Sequence, residues 1–541
     1  MRTGGLNGGR LGRRRMAAAR PPDATRRRRW AILAVLCVAV LVVNIDSTIL
    51  NVALPTLVRT LHATSSDLQW IVDAYAMVFG GLLLVSGSVA DRFGRRRMFI
   101  SGFLFFAAAS LGAAFAGSVG ELIAWRALMG AGAAMTIPAG LAILDNVFVD
   151  PAERARAVGV WGGGMGVGLA IGPLAGGLLL SQFWWGSVFF VNVPIALAGA
   201  LAAWLTVPES RNERSAEPDP AGALLSIGGL GMLLWAIIEA PTSGWGAPAV
   251  VTVGIAGVLT LGALVAWESR SDHPMLPLSF FRSRRFSAAV GALALGVFPL
   301  FGAVFVLTQL LQTDLGYSPL AAGLRILPVA GVLAIAAPLS TLLVRPAGSK
   351  LTAAAGLAAV AGGLWQLSSA STGSATFASI LPGMLLLGLG AGLLMPTCAD
   401  AVLGSLPRAQ SGVGSASYGV SIQVGGALGV AVIGSMLQTR YRSHITSALA
   451  GRDLPVSALH AVTGSLGGAL ALAHTVGGAG GALLAGAARD AFMSGSHLAL
   501  GAGALVAAAA ILVVLASLPS RSPAPEGARS VPAPVARLSR S

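Results

Sequence analysis

Residues 30–55 read WAILAVLCVAVLVVNIDSTILNVALP. A helix over this stretch is about 39 Å long at 1.5 Å per residue, enough to cross a hydrocarbon layer of about 30 Å. Between residues 31 and 50, twelve positions are Leu, Ile or Val. Each contributes roughly 0.3–0.6 kcal/mol to insertion, against about 2.5–3.5 kcal/mol lost to a charge at the helix centre. The segment therefore enters a bilayer despite Asp46. Insertion explains why the carboxylate is tolerated, not why it is there.

The same kind of run recurs along all 541 residues, of which 55% are hydrophobic and 11% charged, with a mean hydropathy of +0.78. This is the composition of an all-α polytopic membrane protein and excludes a soluble domain. Gly, Pro and charged punctuation divides the chain into fourteen predicted transmembrane helices. They begin near Trp30, Leu68, Met98, Glu121, Arg156, Ser187, Ala221, Ala247, Phe286, Ser318, Leu351, Ala375, Gly412 and Phe492. The net charge of +15 and pI near 11.4 match those of many nucleic-acid binders. Here, however, the basic residues sit between apolar runs rather than on a basic domain, so no nucleic-acid partner is expected and the lipid bilayer is. The two cysteines, Cys37 and Cys398, both fall inside predicted spans, so neither a disulfide framework nor a thiolate metal site is expected.

Basic residues favour alternate loops, as the positive-inside rule requires. Most of the 36 Lys and Arg lie in the two tails or in loops on the side of the amino terminus. Both termini are thus predicted to be cytoplasmic, in a multi-pass protein of a bacterial cell membrane. The expected organisation is a cytoplasmic basic tail (1–29), a first six-helix bundle (30–208), and a hinge with an intervening helix pair (209–285). A second six-helix bundle (286–518), with a long external loop at 438–490, and a cytoplasmic tail (519–541) complete it. Tryptophans near predicted boundaries read as an interfacial belt, whereas Trp161, Trp235 and Trp365 lie deeper and are candidates for the walls of a substrate cavity.

Three charges fall inside the first bundle. Asp46 lies about nine residues before Pro55, Asp73 about six residues after Asp67, and Arg126 about five residues into its helix, all counted from the same face of the membrane. At 1.5 Å per residue they sit at similar depth, and a shared interior spares each an isolated exposure to lipid. One reading is a buried ion pair that only fixes helix packing. The other is a proton-binding switch: burial disfavours the charged form of a carboxyl and a nearby guanidinium favours it, so relative movement changes proton occupancy.

The fifth predicted helix contains WGGGMGVGLAIGPLAGGLLL, residues 161–180. Gly168, Gly172 and Gly176 recur every four residues on one face, beside Pro173 and Gly177. Small residues at that spacing let a neighbouring backbone approach closely, and the proline permits a bend.

Several of these stretches together resemble the major facilitator superfamily, in particular its fourteen-helix drug:proton antiporter branch. GVGLAIGPLAGG (166–177) is similar to the antiporter motif, GSVADRFGRRR (87–97) to the signature loop between helices two and three, and NIDSTILNVALP (44–55) to the first-helix motif. RALMGAGAAM (126–135), GSVFFVNVP (186–194), HPMLPLSFFRSRRFS (273–287) and VGGALGVAVIGS (424–435) follow in the family's order. The resemblance implies two six-helix bundles of inverted three-helix repeats rocking about a midplane cavity. It also implies proton coupling by Asp46, Asp73 and Arg126, and a leak-limiting interface at Gly168, Gly172, Pro173, Gly176 and Gly177. A cytoplasmic gate is implied at Gly87, Asp91, Arg92, Gly94, Arg95 and Arg96, where an acid and a basic turn pair across the bundle interface or cap a helix end.

In the second half the chain departs from that pattern. Gly419 and Ile422 stand where many relatives carry Asn and Arg, leaving Gln423, and Arg325 stands where relatives carry an apolar residue. Arg325 and Gln423 are therefore candidate cavity residues, suited to anionic, zwitterionic or neutral amphipathic cargo. The expected function is proton-coupled export of small amphipathic, antibiotic-like molecules, with small-molecule substrate and protons as partners. Export of a self-made metabolite is the alternative, and a membrane scaffold or sensor the remote one. The chain has no GxxxxGK[ST] phosphate loop, and its six histidines are scattered. No enzyme activity, cofactor or metal is expected.

Overall fold

The computed structural model describes residues 23–211, 218–271, 274–275, 277–371, 375–406, 411–450 and 455–518. The predicted amino-terminal tail apart from 23–29, the whole predicted carboxyl-terminal tail and the centre of the polar hinge after residue 211 lie outside the described residues. Every regular element among the described residues is helical. The first bundle consists of α1 (Asp23–Leu61), α2 (Ser65–Phe93), α3 (Arg95–Ala114), α4 (Val119–Val147), α5 (Pro151–Gln182), and the consecutive pieces α6 (Ser187–Phe190) and α7 (Asn192–Thr206). The intervening pair is α8 (Pro220–Ser243) and α9 (Pro248–Arg270). The second bundle holds α10 (Arg284–Gln309), α11 (Pro319–Ala370), α12 (Phe377–Leu403), α13 (Ser411–Ala448) and α16 (Gly478–Ser517), with the short α14 (Val456–Gly464) and α15 (Leu466–Val476) before α16.

Local chemistry sets the boundaries. Thr64 and Asp67 form a reciprocal capping box that starts α2. Gly94, at φ 120°, turns the chain between α2 and α3 in a single residue, a backbone region that side-chain-bearing residues rarely adopt. Gly348, at φ 79°, breaks α11 into two spans. Among the described residues twelve helices are long and apolar enough to cross a membrane; counting α11 twice and adding α5 gives the fourteen spans anticipated.

Residues 438–490, anticipated as an external loop, are largely helical where described. The stretch is rich in alanine, a strong helix former, and Tyr441, Ile445, Leu449, Val462, Leu466 and Ala469 are buried in the core of the second bundle. Helix α16 accordingly begins fourteen residues before Phe492, the start read from hydropathy.

The bundles meet unevenly. At the end carrying the α1–α2 turn, α5 packs on α11 so closely that a Cβ on Gly177 would lie 2.8 Å from the carbonyl of Pro319, and one on Gly323 would overlap that of Pro173. The side chain of Gln312, in the π-helical turn Leu310–Asp314 after α10, donates to the carbonyl of Val52 in α1 at 2.8 Å. Toward the Gly94 end these two helices carry glycines with open space beside them. A Cβ on Gly159, Gly162 or Gly163 of α5, or on Gly331 of α11, would meet nothing within 4 Å. Contact between the halves is thus tight where α5 meets α11 at the α1–α2 end, and α2 and α13 still meet farther along, where a Cβ on Gly419 would lie 2.5 Å from Leu83 Cδ2.

Candidate functional site

The core of the first bundle holds a buried polar cluster. Asp46 is 0% and Arg126 1% exposed, and Arg126 Nη1 donates to Asp46 Oδ2 at 2.6 Å. The guanidinium is further fixed by Nε, which donates to the carbonyl of Ile71 at 3.1 Å, and by the Tyr75 ring, whose centroid lies 4.4 Å from Cζ. The other carboxylate oxygen, Asp46 Oδ1, accepts from Asn192 Nδ2 at 2.9 Å. Asn192 Nδ2 also donates to Ser110 Oγ at 3.2 Å, and Ser110 donates to the carbonyl of Phe189 at 2.8 Å. Four helices, α1, α4, α3 and α7, thus supply the hydrogen-bonded side chains of one network, with α2 contributing a carbonyl and a ring. Neither Asn192 nor Ser110 was marked by the sequence reading; the only signal was an asparagine amid the apolar residues of FFVNVP.

Asp73 does not join them. It is two residues from Ile71 and two from Tyr75, which face Arg126, so a helix of 3.6 residues per turn puts it about 200° away. Its face is that of Gln69 and Met77. Gln69 Oε1 lies 3.4 Å from the hydroxyl of Ser435 in α13, and Met77 packs in a cluster with α8 and α13. Asp73 is 0% exposed and neither carboxylate oxygen has a hydrogen-bond partner. The expectation of three charges in one interior is corrected to a paired two, with the third turned toward the other half.

The glycine stripe works on two sides. On α1, Cβ atoms added at Gly168 and Gly176 would lie 2.8 Å from Asn44 Cβ and Ile49 Cγ1, and one at Gly172 would overlap Thr48 Oγ1. Thr48 also reaches the carbonyl of Gly168 at 3.4 Å. Pro173 and Gly177 instead face α11 of the other bundle. The motif therefore joins the helix that carries Asp46 to the seam between the halves.

At the Gly94 end, Arg95 Nε donates to Asp91 at 2.6 Å and its Nη1 to the carbonyl of Ala142 at 3.1 Å. The backbone N–H of Arg96 donates to Glu209 Oε1 at 3.1 Å, and Arg96 Nη1 to the carbonyl of Val207 at 3.3 Å. Arg92 is exposed and Gly87 lies in ordinary contact with Pro138. These partners of Asp91, Arg95 and Arg96 belong to the first bundle or to the chain leaving it. The expectation was pairing across the bundle interface or capping of a helix end; these contacts of Asp91, Arg95 and Arg96 stay within the first bundle and its exit, with Arg95 bonded to a carbonyl in the last turns of α4. Glu209, which the sequence reading placed only in a hinge, is the acid that organises this turn.

The candidate cavity residues scatter. Gln423 sits at the contact of α13 with α2, 3.0 Å from where a Cβ on Gly80 would be. Trp161 is partly buried against the first-bundle core beside Cys37. Trp235 packs with Ala240, Ala247 and Val250 between α8 and α9, and Trp365 is 63% exposed on the stripe of α11 shared with Leu351 and Ser369. Arg325 stacks on Tyr317, 3.7 Å from its centroid, and approaches Phe377 at 5.3 Å, near the start of α11 and α12. Its Nη1 donates to the carbonyl of Ala321 at 3.1 Å. Among the described residues no group of three or more His, Cys, Asp or Glu side chains is placed to hold a metal ion.

Comparison with known proteins agrees with this architecture. A family model described as Major Facilitator Superfamily matches residues 36–430. The chain is 33% identical over 500 residues to the tetracenomycin C resistance and export protein of Streptomyces glaucescens, covering 91% of this chain and 93% of that one. It is 35% identical over 502 residues to the multidrug efflux pump LfrA of Mycolicibacterium smegmatis, covering 92% and 98%. Among solved structures, a bacterial homologue of the human lysosomal transporter Spinster, inward-facing and unoccupied, superposes with a TM-score of 0.61 at 17% identity. That match covers 92% of this chain and 99% of that one, and shows the fold alone.

Proposed function

The chain belongs to the Major Facilitator Superfamily, and from that premise we propose that it is a proton-coupled antiporter exporting amphipathic, drug-like molecules across the cytoplasmic membrane. The observation that carries the reading is the buried Asp46–Arg126 pair on α1 and α4, in the bundle whose α5 packs tightly on α11 at the α1–α2 end. A proton delivered to Asp46 neutralises the carboxylate and weakens its hold on Arg126, whose remaining contacts are to α2. Charge state is thereby coupled to the helices that line the seam. Asp73, whose oxygens have no donor, is the second proton site in this reading, on the face of α2 that meets α13.

The bias of Lys and Arg supports an orientation with both termini and the Gly94 end in the cytoplasm. The Gly94 end then receives cargo from the cell or inner leaflet, and opening of the α1–α2 end admits protons as cargo leaves. A membrane voltage of about 100 mV supplies roughly 2.3 kcal/mol per charge, a gradient of about fiftyfold. The relatives are described as an antibiotic export protein and a multidrug efflux pump, which supports drug-like cargo; a dedicated exporter of a self-made metabolite is not favoured. A resistance and accumulation panel comparing wild type with Asp46→Asn tests the reading. Loss of active efflux at preserved expression is expected, and full retention removes the proton role.

A further inference from the structure

The unusual atom in the Asp46 network is the carbonyl oxygen of the Asn192 side chain. Asn192 is 1% exposed, and while its Nδ2 serves both Asp46 and Ser110, its Oδ1 is buried with no hydrogen-bond partner. A buried acceptor without a donor is normally selected against, costing about 1–3 kcal/mol. An amide carries an acceptor on one side and donors on the other, and half a turn about Cβ–Cγ exchanges them. The orphan oxygen is therefore one rotation away from Asp46.

Protonation of Asp46 creates the need for such an acceptor. Oδ2 is held by Arg126 and Oδ1 by Asn192, so a proton that avoids the guanidinium settles on Oδ1. That oxygen then presents an O–H donor, which faces the N–H donor of the amide and repels it. Rotation of the amide places Asn192 Oδ1 where Nδ2 stood, 2.9 Å from Asp46 and 3.2 Å from Ser110. Ser110 has one hydroxyl hydrogen, now donated to the carbonyl of Phe189 at 2.8 Å, and gives up that bond if it is to donate to the turned amide oxygen. The ionisable groups that face Asp46 are Arg126 from α4 and Tyr75 from α2; α3 brings Ser110 and α7 brings Asn192.

We propose that Asn192 is a positioning residue for proton coupling, whose side-chain amide donates to the Asp46 carboxylate and, after rotation, accepts from the protonated acid. Asp46 is then held against α7 in both states while Arg126 is held in only one, so the proton releases α4 and α2 without releasing α1. The proton comes from the aqueous phase on one side of the membrane, rests on Asp46 Oδ1, and leaves to water on the other; Asn192 gains and loses no proton. The inference rests on the reading of Asp46 as a proton carrier.

Infrared difference spectra of the purified protein between acid and alkaline pH test it without any cargo. The carboxylic acid C=O band that disappears in Asp46→Asn is that of Asp46; absence of such a band in wild type overturns the proton-carrier reading itself. With the band present, Asn192→Leu is expected to move it to the frequency of an acid lacking a hydrogen-bond acceptor and to displace its pH midpoint by about one unit or more. Asn192→Gln, which keeps an amide, is expected to restore part of both changes, and the smaller Asn192→Val serves if the leucine variant does not fold. An Asp46 band with wild-type position and midpoint in the leucine or valine variant overturns the role of Asn192 while leaving the proton reading standing.

Discussion

The hydroxyl of Ser435 donates to the backbone carbonyl of Ile237 across 2.7 Å, and Ile237 is the residue whose helical partner would have been the missing N–H of Pro241. The proline creates an acceptor on α8 and α13 fills it. One residue on, the carbonyl of Ile238 accepts from Ser66 of α2 at 3.3 Å. The intervening pair is thus bonded to one helix of each bundle at the α1–α2 end. Removing the donor by Ser435→Ala leaves a buried carbonyl and is expected to cost about 1–3 kcal/mol, lowering the melting temperature in detergent. Pro241→Ala returns the N–H, so the serine change is expected to be milder in the double variant than alone. Additive effects in that cycle would show the two residues to be independent.

Gly323 fixes how near α11 comes to α5, because a Cβ there would overlap the carbonyl of Pro173. Gly323→Val is expected to wedge the halves apart at the α1–α2 end and to reduce efflux at least tenfold at normal expression. Labelling of single cysteines near Pro319 by a membrane-impermeant thiol reagent measures the opening. Unchanged labelling and transport would mean that the seam tolerates the wedge.

Gly94 combines a φ of 120° with Glu209 Oε1 lying 2.9 Å from the place of its missing Cβ. Gly94→Ala is expected to cost about 1–3 kcal/mol in backbone strain alone and to displace Glu209 from the N–H of Arg96. Glu209→Gln keeps the shape but loses the charge next to Arg96 and Arg97, and its effect is expected to be smaller. Thermal unfolding of the two variants side by side checks the order.

Arg325, a candidate cargo residue because it stands where relatives carry an apolar one, has its guanidinium stacked on Tyr317 and bonded within its own helix. Arg325→Leu is expected to lower stability by about 1 kcal/mol through the lost stacking and to leave the preference among acidic, neutral and cationic substrates unchanged. An efflux panel across those three charge classes decides it. A shift toward cations would return Arg325 to the substrate path.

What could be read from the chain follows from which interactions are one-dimensional. Hydropathy and the placement of Arg and Lys depend on sequence distance and membrane depth, so fourteen spans were legible, as was a common level for Asp46 and Arg126. Rotation about a helix axis is not. Asp73 and Tyr75 are two positions apart at the same depth, and only the packing of α2 between α4 and α13 determines that they look in opposite directions. Asn192 was invisible because a neutral side chain leaves no mark on a charge pattern, and its importance comes from Ser110 and Asp46, which lie 82 and 146 residues away. The helices of 438–490 were missed because alanine and glycine dilute hydropathy without opposing helix formation where a core is at hand.

The bond between Ser435 and Ile237 has one more property, which concerns inheritance rather than mechanics. Its acceptor belongs to the main chain, so no substitution of the isoleucine side chain can erase it. Side chains on α8 can change while the fastening stays, provided Pro241 and a hydroxyl on α13 persist.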